Sequence, residues 1–222
     1  MMIKKQKPYK RLKEKVKTAK KRKISSTRWL QRQLNDPYVK QSKAEGRRSR
    51  AAYKLIQIDE KFKILKPNQI ILDLGAAPGS WSEVIVGISN TKVIAIDKLD
   101  MDPMSGVKVL KLDLSTEEAF NKIKEYLNKK VDVVLSDMAS DTTGHKSTDH
   151  IRTQELAELA ADYAINFLKK GGSFCSKVFQ GGTHQALLEL LKKNFESVKH
   201  FKPEASRKES PENYVIAKNF KG

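Results

Sequence analysis

The chain has 222 residues, with 44 Lys+Arg against 26 Asp+Glu and a formal net charge of +18: length for one large domain or two small ones, and a charge that implies a polyanionic partner, nucleic acid or an anionic membrane surface. Hydrophobic residues make up 39%, which excludes a chain disordered throughout. The single cysteine, Cys175, excludes an internal disulfide and a four-cysteine zinc site, and no apolar run approaches the roughly 20 residues of a membrane span or forms a secretory signal at the N-terminus, so a cytoplasmic protein is expected.

The charge is concentrated at one end. Residues 1–50 hold 19 Lys+Arg and three acids, Glu14, Asp36 and Glu45, a net +16, whereas residues 51–222 hold 25 and 23, a net +2. From Lys4 to Lys23 only Leu12, Val16 and Ile24 beyond it offer apolar surface, so this stretch is expected to be disordered or a frayed helix when free. A solubilising tail is the plain reading. An RNA-binding arm over residues 1–40, whose phosphate contacts give affinity without sequence choice, is the favoured one. A mitochondrial presequence is disfavoured because the run is mostly Lys rather than Arg. From Trp29 to Lys43 the apolar residues Trp29, Leu30, Leu34 and Tyr38 suggest a segment that packs on the body, with Trp29 in a packing role and base stacking as the alternative.

Strand and helix then alternate. Ala51, Leu55, Ile58 and Phe62 recur at helical spacing, and Pro67-Asn68 ends that helix. Residues 69–74 form an apolar strand, followed by a helix from about 79 to 89. Further strands are expected at 92–97, 107–113 and 131–137. Ser115 with Glu118 reads as a capping box opening a helix. Leu156, Leu159, Ala160, Tyr163 and Phe167 line a long helix expected to end at Lys169-Lys170-Gly171. A strand at 172–179, a helix at 185–193 and two strands at 197–201 and 214–220 complete the chain. The last two have no helix between them and should be antiparallel neighbours at a sheet edge. The whole is an α/β fold, a mostly parallel sheet with helices on both faces, whose ligands bind beyond the carboxyl ends of the strands.

Four of those strand ends carry an acid: Asp73, Asp97, Asp113 and Asp137. Each alone reads as a turn residue, but four at successive strand ends point to a ligand. Asp73 leads into Leu74-Gly75-Ala76-Ala77-Pro78-Gly79-Ser80-Trp81, where Gly75 and Gly79 let backbone approach a ligand. The segment is neither the dinucleotide fingerprint nor a P-loop. Asp97 suits a ribose diol. An adenosine-type ligand without pyrophosphate fits, with S-adenosylmethionine the candidate.

These residues resemble a known family. Asp73 to Trp81, Ser136-Asp137-Met138-Ala139, Lys177-Val178-Phe179-Gln180-Gly181, and Ser206-Arg207 with Glu212 and Tyr214 are similar to motifs of the FtsJ/RrmJ family, Rossmann-like S-adenosylmethionine-dependent RNA ribose 2′-O-methyltransferases. The resemblance runs from about Gln41 to Lys218, making 41–222 the catalytic domain, and is strongest to the bacterial and mitochondrial RlmE branch, including its alphaproteobacterial members. It implies 2′-O-methylation of a uridine ribose in the A-loop of large-subunit ribosomal RNA by a monomer. It implies a catalytic set of Lys54, Asp137, Lys177 and Glu212. It also implies cofactor contacts from Gly79 and Trp81, with Asp97 at the ribose and Asp113 at the adenine. Asp73, Gly75 and Asp137 complete the expected cofactor-binding residues, and no metal is expected. Two positions depart from the family pattern: Ser80 stands where glycine is usual, and Ser140-Asp141 where Pro-Asn is usual.

The chemistry is coherent from below. Methyl transfer from a sulfonium needs mainly positioning and deprotonation of the ribose hydroxyl. A free Lys has a pKa of about 10.4, lowered by burial and a neighbouring ammonium and raised by a carboxylate, so Lys177 beside Lys54, Asp137 and Glu212 is expected to shift only in part. A protonated Lys177 that steadies the developing alkoxide is the alternative. Lys54 could be a solvated helix residue and Glu212 a turn acid after Pro211, but a Lys in a central strand is costly without a purpose. Cys175 reads as core, and His145, Asp149 and His150 as a solvated loop. A tRNA ribose methyltransferase and a non-catalytic ribosome assembly factor are the competing functions.

Overall fold

The computed structural model describes residues 14–222 apart from 19, 21, 22, 141, 142 and 180–184. Most of the basic run Lys4–Lys23 therefore lies outside the described residues, as do Asp141 and the segment 180–184. The chain divides into two compact units, Met1–Arg50 and Ala51–Gly222.

The first unit contains α1 (Ile24–Asn35) and α2 (Pro37–Ala44). Asp36 between them caps α2: its Oδ1 accepts from the amides of Tyr38 and Val39 at 3.0 and 3.4 Å, and Pro37 stands at N1, where a missing N–H costs nothing. Arg50 Nε lies 3.0 Å from the second Asp36 oxygen. Trp29, expected to pack, is 51% exposed.

The second unit contains α3 (Ala52–Phe62), β1 (Ile70–Leu74), α4 (Ser80–Val86), β2 (Lys92–Asp97), β3 (Val107–Lys111), α5 (Glu117–Tyr126), β4 (Val131–Ser136), α6 (Lys146–Phe167), β5 (Leu168–Phe179), α7 (Gln185–Asn194), β6 (Phe195–Phe201) and β7 (Glu212–Phe220). The seven strands form one sheet in the order β3-β2-β1-β4-β5-β7-β6. β1 to β5 pair in parallel, and β7 runs antiparallel to both β5 and β6. The final two strands are thus antiparallel neighbours at the sheet edge, with β7 the reversed strand and β6 the outermost.

Side chains alternate between the sheet faces with period two. Leu72, Leu74, Ile94, Ile96, Val134 and Phe174 join a core that includes the buried residues of α5, α6 and α7. Ile71, Val93, Val133, Leu135, Cys175 and Ile216 join the core of α3 and α4. Each fully buried aliphatic or aromatic side chain contributes about 1.5–3 kcal/mol, so both faces specify the register. Cys175 is fully buried, and burial pushes its thiol well above the usual range. Among the described residues no helix is long and apolar enough to cross a membrane.

Three local expectations change. Thr116, not Ser115, caps α5: its Oγ1 accepts from the Ala119 amide at 3.2 Å, while Ser115 Oγ is drawn to Asp113 at 2.7 Å. α4 closes at Val86, with Gly87 as its C-cap. α6 ends at Phe167, so Lys169-Lys170-Gly171 belong to β5, where the pairing with β4 shifts between Val131 and Val133. Gly172 is required there, because a Cβ would come within 3.0 Å of the Leu168 side chain and of the Lys169 and Asp132 carbonyls.

Candidate active site

The carboxyl ends of the strands gather the residues singled out in the sequence. Lys177 lies near the end of β5, where its partner across the sheet is Tyr214 of β7. Glu212 is two residues before Tyr214, on the same face of that strand. Asp137 follows the last residue of β4, and Lys54 lies in the first turn of α3. Four separate elements therefore deliver one cluster, with both lysine side chains only 9% exposed.

Each ammonium reaches both carboxylates. Lys54 Nζ is 2.7 Å from Glu212 Oε2 and 3.8 Å from Asp137 Oδ2. Lys177 Nζ is 2.8 Å from Asp137 Oδ1 and 4.0 Å from Glu212 Oε2, and also donates to the Asp137 carbonyl at 2.8 Å. Two lysines and two acids make the cluster formally neutral, which is how four ionisable groups tolerate burial. Burial alone would raise the Asp137 carboxyl. The Lys177 and Lys54 ammoniums, with hydrogen bonds from Lys177 and Tyr214, outweigh it and hold Asp137 below the usual carboxylate range.

Two residues of the cluster had no assigned role in the sequence. Tyr214, fully buried, donates its hydroxyl to Asp137 Oδ1 at 2.7 Å, and Ser206 donates to Glu212 Oε1 at 2.6 Å. Each fixes the carboxylate oxygen that faces away from Lys54. The Glu-x-Tyr spacing on a strand was the available signal, since residues i and i+2 share a face. Tyr214 also packs its ring 5.7 Å from that of Trp81, joining this cluster to the loop after β1.

That loop leaves β1 through Gly75 and enters α4 through Gly79, both with left-handed backbone at φ +72° and +95°. Gly75 also permits a close approach within the protein: a Cβ there would lie 2.5 Å from Met138 Cγ and 2.9 Å from Met138 Cα. Gly75 thus lets the β1 loop press against the residue next to Asp137. Ser80, the departure from the family pattern, is buried at the start of α4. Trp81 is buried too, its indole donating to the Ala51 carbonyl at 3.0 Å, so any ligand contact from it falls to its backbone.

Asp97 ties the loop to β2. Its Oδ2 accepts from the Ala77 amide at 2.9 Å and its Oδ1 from the Leu99 amide at 2.8 Å. A lone pair on each oxygen remains for a diol. Asp113 is exposed, and hydrogen bonds from the Ser115 amide and hydroxyl hold its carboxyl low. Asp73 is the converse. It is buried on the face of α4, where Ser82 donates to its Oδ2 at 2.7 Å while Oδ1 has no hydrogen-bond partner. Burial raises its carboxyl to about 7, against the opposing Ser82 hydrogen bond. An open glycine loop, a carboxylate with spare acceptors and an unpartnered buried oxygen at adjacent strand ends fit a nucleoside ligand with polar substituents, as S-adenosylmethionine is.

Comparison with known proteins identifies the family. Residues 47–220 match the FtsJ-like methyltransferase family. A protein of Maricaulis maris named ribosomal RNA large subunit methyltransferase E is 54% identical over 94% of this chain and 75% of its own length. One of the same name from Novosphingobium aromaticivorans is 55% identical over 94% of this chain and 95% of its own. A crystal structure from Plasmodium falciparum, described as a ribosomal RNA methyltransferase, superposes with a TM-score of 0.71 at 37% identity, covering 79% of this chain and 99% of that one.

Proposed function

The chain belongs to the FtsJ-like methyltransferase family, with S-adenosylmethionine as its cofactor, and from that premise we propose that it methylates the 2′-hydroxyl of a uridine ribose in the A-loop of large-subunit ribosomal RNA. The names of the Maricaulis and Novosphingobium relatives support ribosomal RNA as the substrate. The uridine and the A-loop rest on the resemblance read in the sequence. The observation that carries a ribose hydroxyl as acceptor is the buried pair of lysines, each within 4.0 Å of both Asp137 and Glu212.

The bound cofactor supplies an activated methyl group on a sulfonium, open to in-line attack. The protein's task is then to orient the 2′-oxygen and receive its proton. Lys177 Nζ makes two hydrogen bonds, to the side chain and the carbonyl of Asp137. With those two N–H directions taken, the third position becomes a lone pair once Lys177 has released its third proton to solvent, and the neutral amine can then meet the 2′-hydroxyl and take its proton. Asp137 fixes the Lys177 amine, with Tyr214 holding the same carboxylate oxygen. Lys54, paired to Glu212, supplies a second positive charge next to the developing alkoxide. Gly75, Gly79, Asp73, Asp97 and Asp113 hold the cofactor at the neighbouring strand ends, with Trp81 bracing the loop. The basic residues 1–40 serve as the RNA-binding arm, contacting phosphates.

The substrate is tested by mapping 2′-O-methylated nucleotides in ribosomal and transfer RNA from a strain lacking the gene. Loss of one methylated uridine in the A-loop, restored by the wild-type gene, is expected. An intact A-loop with a missing methyl group on a tRNA would overturn the reading.

A further inference from the structure

The opposite pole of the sheet carries lysines that methyl transfer leaves unused. A cavity of about 400 Å³ opens there, lined by Lys63 and Lys66 before β1, Lys169 in β5 and Lys218 in β7. The one acid in its wall, Asp132, is already engaged: its Oδ2 accepts from the Ile70 amide at 2.7 Å and its Oδ1 pairs with Lys169. Lys218 donates to the Phe62 carbonyl at 2.8 Å, a neutral acceptor that leaves its charge uncompensated. Lys63 and Lys66 are exposed. At the rim, Asn219 donates to Glu196 at 2.8 Å.

Lys63 is the telling residue. It closes α3 with a left-handed backbone at φ +53°, a conformation that a glycine adopts without penalty and a side chain with a Cβ does not. Folding alone would favour glycine here, and lysine puts an ammonium on the rim of a basic cavity instead. No aromatic ring lines the cavity, so it offers charge and hydrogen bonds but no platform for a base. That combination suits phosphate oxygens and carries no sequence preference.

We propose that this cavity seats a backbone phosphate of the substrate RNA, a second contact remote from the methylated ribose. The inference rests on the RNA-substrate reading above. Glu212 in the catalytic cluster and Lys218 in the cavity are six residues apart on the single strand β7, a span of about 20 Å. The two contacts therefore lie at opposite ends of one rigid strand, and an RNA must fold around the sheet to reach both.

The test is RNA binding across a salt series by the full-length protein, using a large-subunit rRNA fragment that contains the A-loop and comparing wild type with Lys63→Gly/Lys66→Ala. The expected result is roughly tenfold weaker binding and a log K against log salt slope reduced by about 0.7–0.9, the change for one phosphate. Thermal stability should be unchanged or higher, since glycine relieves the left-handed backbone at 63, and calorimetric affinity for S-adenosylmethionine should be unchanged. Equal affinity and slope in the two proteins would overturn the proposal. So would pyrophosphate binding that the variant loses while its RNA affinity is intact, because the cavity would then serve a free anion. Failure of the wild-type protein to bind RNA at all would instead remove the substrate reading and this inference with it.

Discussion

Two lysine–carboxylate pairs in this protein have similar lengths and different consequences. Lys40 and Glu14 meet at 2.5 Å with side chains 31% and 48% exposed; Lys177 and Asp137 meet at 2.8 Å with side chains 9% and 17% exposed. In water the first pair contributes under about 1 kcal/mol. In the second, removing one partner strands a desolvated charge, which costs about 3–5 kcal/mol. Solvent, not distance, decides what an ion pair does. Residues 1–50 hold many cations and few acids, suited to a polyanion. The buried cluster of Lys54, Asp137, Lys177 and Glu212 balances two cations with two acids, suited to holding groups in fixed geometry.

The sharpest break in that comparison is Asp137→Asn. It leaves two buried ammoniums facing one carboxylate, and urea denaturation should register a loss of about 3–5 kcal/mol. A smaller loss would mean that water reaches the cluster. Asp73→Asn tests burial without a cationic partner. Its carboxyl is raised from 3.8 to about 7 in the folded protein, so the folded state keeps a proton that the unfolded chain releases. Stability from this group is complete below about pH 4, falls as pH rises toward 7 and changes no further above it. The variant should lack this decline and exceed wild type at pH 8, relative to pH 5, by a few kcal/mol. Parallel profiles in denaturation at the two pH values would refute the assignment. Tyr214→Phe removes one hydrogen bond to Asp137 while both lysines remain, and a loss of about 1.5–3 kcal/mol is expected. Lys40→Ala, at the exposed extreme, should change stability by less than about 1 kcal/mol.

Much of this was legible in the sequence because the periodicities are strong. Ile70-Ile71-Leu72 and Val131 to Leu135 read as buried parallel strands, and the acids at their ends mark the carboxyl pole. Lys177 stood out because a central strand gives a lone Lys no outlet to solvent. What the sequence left open depends on choices between near-equal neighbours. Ser115 and Thr116 both suit an N-cap, and the nearby Asp113 carboxylate settles the matter by taking Ser115. Lys169-Lys170-Gly171 resemble a helix end until the shifted β4–β5 pairing draws them into the sheet. Gly75 reads in the sequence as a place where backbone approaches a ligand, and only the structure shows that its missing Cβ also makes room for Met138. Tyr214 and Ser206 gain their roles only when Asp137 and Glu212, 77 and 6 residues away, come within hydrogen-bond reach.

The central claim is that Lys177 receives the proton of the ribose hydroxyl. It is tested by single-turnover methyl transfer to the RNA with Lys177→Ala, alongside calorimetric binding of S-adenosylmethionine. A rate about 10²–10⁴-fold below wild type, with cofactor affinity unchanged, is the expected result. Methyl transfer within a few-fold of the wild-type rate would contradict it.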